Sequence, residues 1–83
     1  MKTELYNNYS ELRAKYPDYV LLFRRGLSYF AFEDHAKLLA EINNVEVMTD
    51  GEITTASIAE FKLKSTLQIM TNKGHRVAIC EDY

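Results

Sequence analysis

The run Tyr19-Val-Leu-Leu-Phe-Arg-Arg25, set between Pro17 and Gly26, constrains the fold more than any other segment. It is too short for an ordinary helix and rich in strand formers, so it reads as a buried strand. The residues on either side say what surrounds it. Leu27 to Phe32 alternates, with Leu27, Tyr29 and Ala31 on one face and Ser28, Phe30 and Phe32 on the other. Gly26 between the two runs indicates a tight hairpin. Upstream, Leu5, Tyr9, Leu12 and Tyr16 recur at intervals of four, three and four. That is one stripe of an amphipathic helix from Thr3 to Tyr16, which Pro17 stops.

Downstream, Glu33 and Asp34 open a second helix, where acidic side chains suit the positive end of the dipole. Leu38, Leu39 and Ile42 form its apolar stripe, and Asn43-Asn44 are stop residues. Val45 and Val47 begin a strand, Asp50-Gly51 signals a two-residue hairpin, and Glu52 to Ile58 returns. A third helix is expected from Ala59 to Lys73, with Leu63, Leu67 and Met70 on its buried face and Gly74 as its cap. Arg76 to Cys80 closes as a central strand. The order is α-β-β-α-β-β-α-β: an α+β fold, about three helices on a mixed sheet.

A chain of 83 residues has room for one such domain, residues 1–83, and one core. At this size only about 60–65% of the unfolded surface is buried, so stability is expected to be modest. No stretch reaches the ~18 apolar residues of a membrane span, and MKTELYNNYSEL lacks the apolar run of a secretion signal. The expected location is the cytoplasm. Cys80 is the single cysteine, so no internal disulfide forms. Its place in Val77-Ala78-Ile79-Cys80 reads as that of a small buried hydrophobe. A reactive thiol needs a basic setting, and Glu81 and Asp82 follow it instead.

Nothing in the pattern indicates catalysis, a metal or a cofactor. His35 and His75 stand far apart with no partnering cysteine, and both are expected at or near the surface. Glu33 and Asp34 diverge from a helix start. The glycines at 26, 51 and 74 fall at turns and caps, and no phosphate loop joins them. The chain is not expected to be an enzyme.

Net charge is −2, with ten basic against twelve acidic residues, whereas a domain that mainly grips phosphates is usually strongly basic. Local contacts remain open, because Arg24-Arg25 concentrates positive charge at a strand end. Neighbouring strand residues face opposite ways, so one arginine at most shares a surface with a given partner. Lys62 and Lys64 lie near the solvent side of the third helix. Tyr6, Tyr9, Tyr16 and Tyr19 gather round the first helix and serve the core and its edge. Tyr29 and Phe30 follow a glycine turn beside two arginines, a setting in which aromatics stack on bases. For either one alone the core reading leads.

Several segments together resemble the N-terminal mismatch-recognition domain of the MutS family of DNA repair proteins. Tyr9-Ser-Glu-Leu-Arg-Ala-Lys-Tyr-Pro-Asp18 is similar to that family's first helix and proline exit. Leu21-Leu-Phe-Arg-Arg-Gly26 resembles the strand leading into its recognition turn. Phe32, Asp34, Ala36 and Lys37 match the helix start that follows, and Leu67 to Glu81, with Val-Ala-Ile-Cys-Glu, its last helix and strand. In that family the turn reads Gly-Asp-Phe-Tyr-Glu. The phenylalanine wedges into the duplex and the glutamate hydrogen-bonds the mispaired base, and the kink that results costs least at mismatched steps.

Here the same positions read Gly26-Leu27-Ser28-Tyr29-Phe30. Ser28 stands in place of the wedge and Phe30 in place of the carboxylate. A serine has no π-face and forgoes the ~1–3 kcal/mol of base stacking. The resemblance implies a stand-alone module that binds double- or single-stranded DNA without the family's mismatch code. Arg24, Arg25, Ser28, Tyr29 and Phe30 are its candidate contacts. The other reading is a protein-interaction or regulatory module, self-associating or an adaptor, that reuses the fold and anchors a partner on Leu27, Tyr29 and Phe30.

Overall fold

The computed structural model describes the backbone of residues 2–81 and the side chains of residues 5–49 and 51–81. Its elements follow the expected order: α1 (Lys2–Lys15), β1 (Tyr19–Arg25), β2 (Ser28–Phe32), α2 (Glu33–Asn43), β3 (Met48–Asp50), β4 (Ile53–Ala59), a 3-10 turn (Glu60–Lys62), α3 (Leu63–Asn72) and β5 (Arg76–Cys80). The five strands form one mixed sheet in the order β3-β4-β2-β1-β5, antiparallel except for the β1–β5 pair. This is the α+β architecture read from the sequence.

Side chains alternate across the sheet, and helices cover both faces. Val20, Leu22, Tyr29, Ala31, Ala56 and Ile58 point to the side carrying α2 and α3, where Ala36, Leu39, Ala40 and Met70 complete a core. Leu21, Phe23 and Phe32 point the other way and are closed over by Leu5 and Tyr9 of α1. Aromatic rings dominate this second cluster. Phe32 meets Tyr9 at 5.3 Å, Tyr6 at 5.7 Å and Phe23 at 5.9 Å between ring centroids. Burial on both sides is why β1 reads as a continuous apolar run and not an alternating one.

The step from β2 into α2 leaves two neighbouring strands without ladder partners. Side chains of the new helix fill in. Leu21 N–H, which would face β2 had it continued, donates to Nδ1 of His35 at 3.2 Å. On the other side Thr54 N–H donates to Oε1 of Glu33 at 3.0 Å. Glu33 makes that reach from a left-handed backbone conformation, φ 52°, a strain typically costing about 1 kcal/mol or more that its side-chain bond helps offset. His35 was expected near the surface and is instead 7% exposed. An unpaired strand N–H inside the protein is costlier than a neutral imidazole buried to meet it.

Four other expectations are corrected. Val45 and Val47 are exposed and precede the strand, because Asn44 ends α2 in the left-handed conformation and Val45 N–H closes back on Ala40 O at 3.0 Å. The β3–β4 loop is Gly51-Glu52, with Asp50 paired to Ile53. The third helix starts at Leu63, since Ala59 still pairs with Ser28 and Glu60 N–H donates to Leu27 O at 2.9 Å. β5 lies at the sheet edge, parallel to β1, and is not central. Cys80 is accordingly half-buried, and burial pushes its thiol pKa up. Asp82 lies outside the described residues.

Candidate functional site

The β1–β2 hairpin forms one end of the sheet. Arg25 pairs with Ser28 across a two-residue loop of Gly26 and Leu27, and Gly26 has φ 60°. Glycine first in a two-residue loop is the type II′ signature, which suits the strand twist. Leu27 belongs to this loop and not to β2, and it is 77% exposed.

The five candidate residues separate by strand parity. Arg24 and Tyr29 face the α2–α3 side, while Arg25, Ser28 and Phe30 face the α1 side. Tyr29 is 4% exposed and is part of the core, so its ring is closed to a partner. Arg24 Cζ lies 5.8 Å from the centre of that ring, and its guanidinium donates to Glu60 Oε2 at 2.9 Å and to Gly26 O at 3.3 Å. Glu81 stands 4.0 Å away on the other guanidinium nitrogen. Arg24 is thus held between two carboxylates and an aromatic face.

Arg25, Ser28 and Phe30 are half-buried along the rim of the α1-side cluster, with exposed Ser57 opposite Phe30. Phe30 packs against that cluster, so its ring is only partly available. Among the described residues Arg25, Lys62 and Lys64 have no ion-pair partner.

Phe61 is the residue that sequence reasoning missed. It sits on the 3-10 turn next to the hairpin and is 83% exposed. With Leu27, Ala59 and Glu60 it lines a surface hollow directly beside Ser28's partner strand. The signal was present in the spacing. Phe61 lies two positions before Leu63, roughly half a turn off the Leu63–Leu67–Met70 stripe, so its ring had no place in the core.

No group of three or more His, Cys, Asp or Glu is placed to hold a metal among the described residues. Among the described residues no helix is long and apolar enough to cross a membrane.

Residues 3–83 match the sequence profile of MutS domain I. The chain belongs to the MutS domain I family. This MutS domain I is 33% identical over 79 residues to the DNA mismatch repair protein MutS of Thermotoga petrophila, covering 95% of the chain and 10% of the relative. It is 34% identical over 74 residues to the MutS of Chlorobium limicola, and 30% identical over 77 residues to the DNA mismatch repair protein MSH3 of Arabidopsis thaliana. Those matches cover 88% and 93% of the chain, and 8% and 7% of the relatives. The chain therefore spans about a tenth or less of the length of these repair proteins.

Proposed function

We propose that this MutS domain I is a non-catalytic DNA-binding module that grips the duplex from the hairpin end of its sheet without the family's mismatch code. Its membership in a family whose relatives are named for mismatch repair carries the reading. The position of the cations supports it. Arg25 closes the hairpin, Lys62 ends the adjoining turn, Lys64 follows it, and none has a carboxylate partner among the described residues. Such groups set the protein on the phosphates and carry no sequence information. The mismatch pair of the family falls here on Ser28 and Phe30. Ser28 cannot stack, and Phe30 cannot accept a hydrogen bond from a base.

Fluorescence polarisation with matched, mismatched and single-stranded oligonucleotides tests this. Binding to matched and mismatched duplex is expected to be equal and to weaken with salt, at a slope of about −0.9 per phosphate neutralised. No binding to any of them at low salt overturns it. In that event the second reading, a protein-interaction module, gains. It is favoured by the net charge of −2 and by the exposure of Leu27 and Phe61.

A further inference from the structure

We infer that Phe61, with Leu27 beside it, is the side chain this domain inserts against the bases of duplex DNA. The inference rests on the proposed DNA-binding role and names the group that enters the stack. A phenylalanine 83% exposed and a leucine 77% exposed meet in one hollow. Proteins that unstack base steps do so by inserting large apolar side chains such as phenylalanine and leucine.

The mounting is rigid. Leu27 O is bonded to Glu60 N–H at 2.9 Å, and Arg24 bridges Gly26 O and the Glu60 carboxylate, so hairpin tip and 3-10 turn form one unit. Ala59, two residues before Phe61, pairs directly with Ser28. The ring is thus offered from the turn that follows the strand paired with Ser28, next to the position where Ser28 offers none.

Charge distinguishes a nucleic-acid occupant from a protein one. Arg25, Lys62 and Lys64, close in the chain to the hollow, have no ion-pair partner among the described residues, and Glu60, the carboxylate described as lining it, is neutralised by Arg24. Phosphates flanking an inserted ring would meet those cations, and the Glu60 charge would be screened from them.

The test uses the whole chain and a duplex with 2-aminopurine at a central TA step, whose emission rises when the base unstacks. Binding of the unsubstituted protein is expected to raise emission. Phe61→Ala should abolish the rise and weaken binding by roughly 5- to 150-fold, the range of one lost stacking contact, with the salt slope unchanged. Lys62→Gln should flatten the salt slope by about 0.9 and leave the emission rise in place. Phe61→Leu, which keeps a wedge without a ring, should retain part of the rise. Phe61 is exposed, so circular dichroism should show both variants folded.

Phe61→Ala binding and unstacking DNA as the unsubstituted chain does overturns the inference while leaving the DNA-binding reading intact. Absence of any duplex binding removes both. Concentration-dependent self-association lost in Phe61→Ala, without DNA binding, assigns the hollow to a second copy of the chain and overturns both as well.

Discussion

Leu21 N–H donates to Nδ1 of His35 at 3.2 Å, across the joint where β2 gives way to α2. The bond is possible only while Nδ1 carries no proton, so the ring is neutral with its hydrogen on Nε2. Its surroundings favour that form. The pKa is lowered from 6.5 to about 4, chiefly by burial and then by the charge of Arg13, with Asp34 opposing. The Tyr9 ring stands edge-on to the imidazole at 5.5 Å.

This ring makes folding pH-dependent. Between pH 6.5 and about 4 the unfolded chain binds a proton here that the folded chain does not. The His35 contribution is therefore complete above pH 6.5, shrinks as pH falls, and is gone once pH passes through the folded value. Its full size is on the order of 3 kcal/mol. Urea unfolding from pH 7.5 to 4 should show that loss. His35→Gln, which can still accept from Leu21 N–H but does not titrate, should remove this part of the slope. An unchanged slope would refute the assignment.

Phe32 carries the α1-side core. It is 1% exposed, and its ring touches those of Tyr6, Tyr9 and Phe23. Phe32→Ala should cost about 3–5 kcal/mol. A domain of this length holds only about 4–12 kcal/mol in total, so the variant should lose a large share of its stability. Thermal unfolding followed at 222 nm should drop by about 15 °C or more. A fall equivalent to less than about 1 kcal/mol would mean that α1 is held by other contacts.

The order of elements was legible because each carries its own period or punctuation. Leu5, Tyr9 and Leu12 mark α1, Pro17 ends it, and β1 stands between Pro17 and Gly26. Position in the sheet was not legible. Nothing in Arg76–Cys80 distinguishes an edge strand paired on one side from a central one, since α1 and α3 cover its faces in either case. The charges of Glu33 and Asp34 do mark a helix start, but the bond from Thr54 to Glu33 depends on a strand twenty-one residues away. At the hairpin, parity correctly put Arg24 and Arg25 on opposite faces. Which one would be claimed by Glu60 and Glu81 required the fold.

Gly26 should be the least replaceable residue of the hairpin for a reason unrelated to space. A methyl group there would meet nothing within 4 Å, yet its φ is 60°. Gly26→Ala should cost about 1–2 kcal/mol through the backbone alone. Gly26→Asn, whose side chain tolerates positive φ, should cost less. Both should shift the urea midpoint and leave the denaturant slope unchanged, because the compactness of neither state is altered. Equal cost for the two residues would point to a lost contact in place of strain.

Glu60 restrains Arg24, and releasing that restraint should strengthen DNA binding. The pair is short, 2.9 Å, but both side chains are partly exposed, so its loss should cost folding no more than about 1 kcal/mol. Glu60→Gln deletes a negative charge beside the hollow and leaves the backbone bond from Glu60 N–H to Leu27 O in place. With only Glu81, at 4.0 Å, left beside it, Arg24 is freer to reach a phosphate, and the salt slope should steepen by up to about 0.9. Affinity at low salt should rise accordingly, and Arg24→Gln in the same background should return the slope to its starting value. A duplex affinity that falls in Glu60→Gln would mean that the ion pair positions Phe61 more than it withholds Arg24.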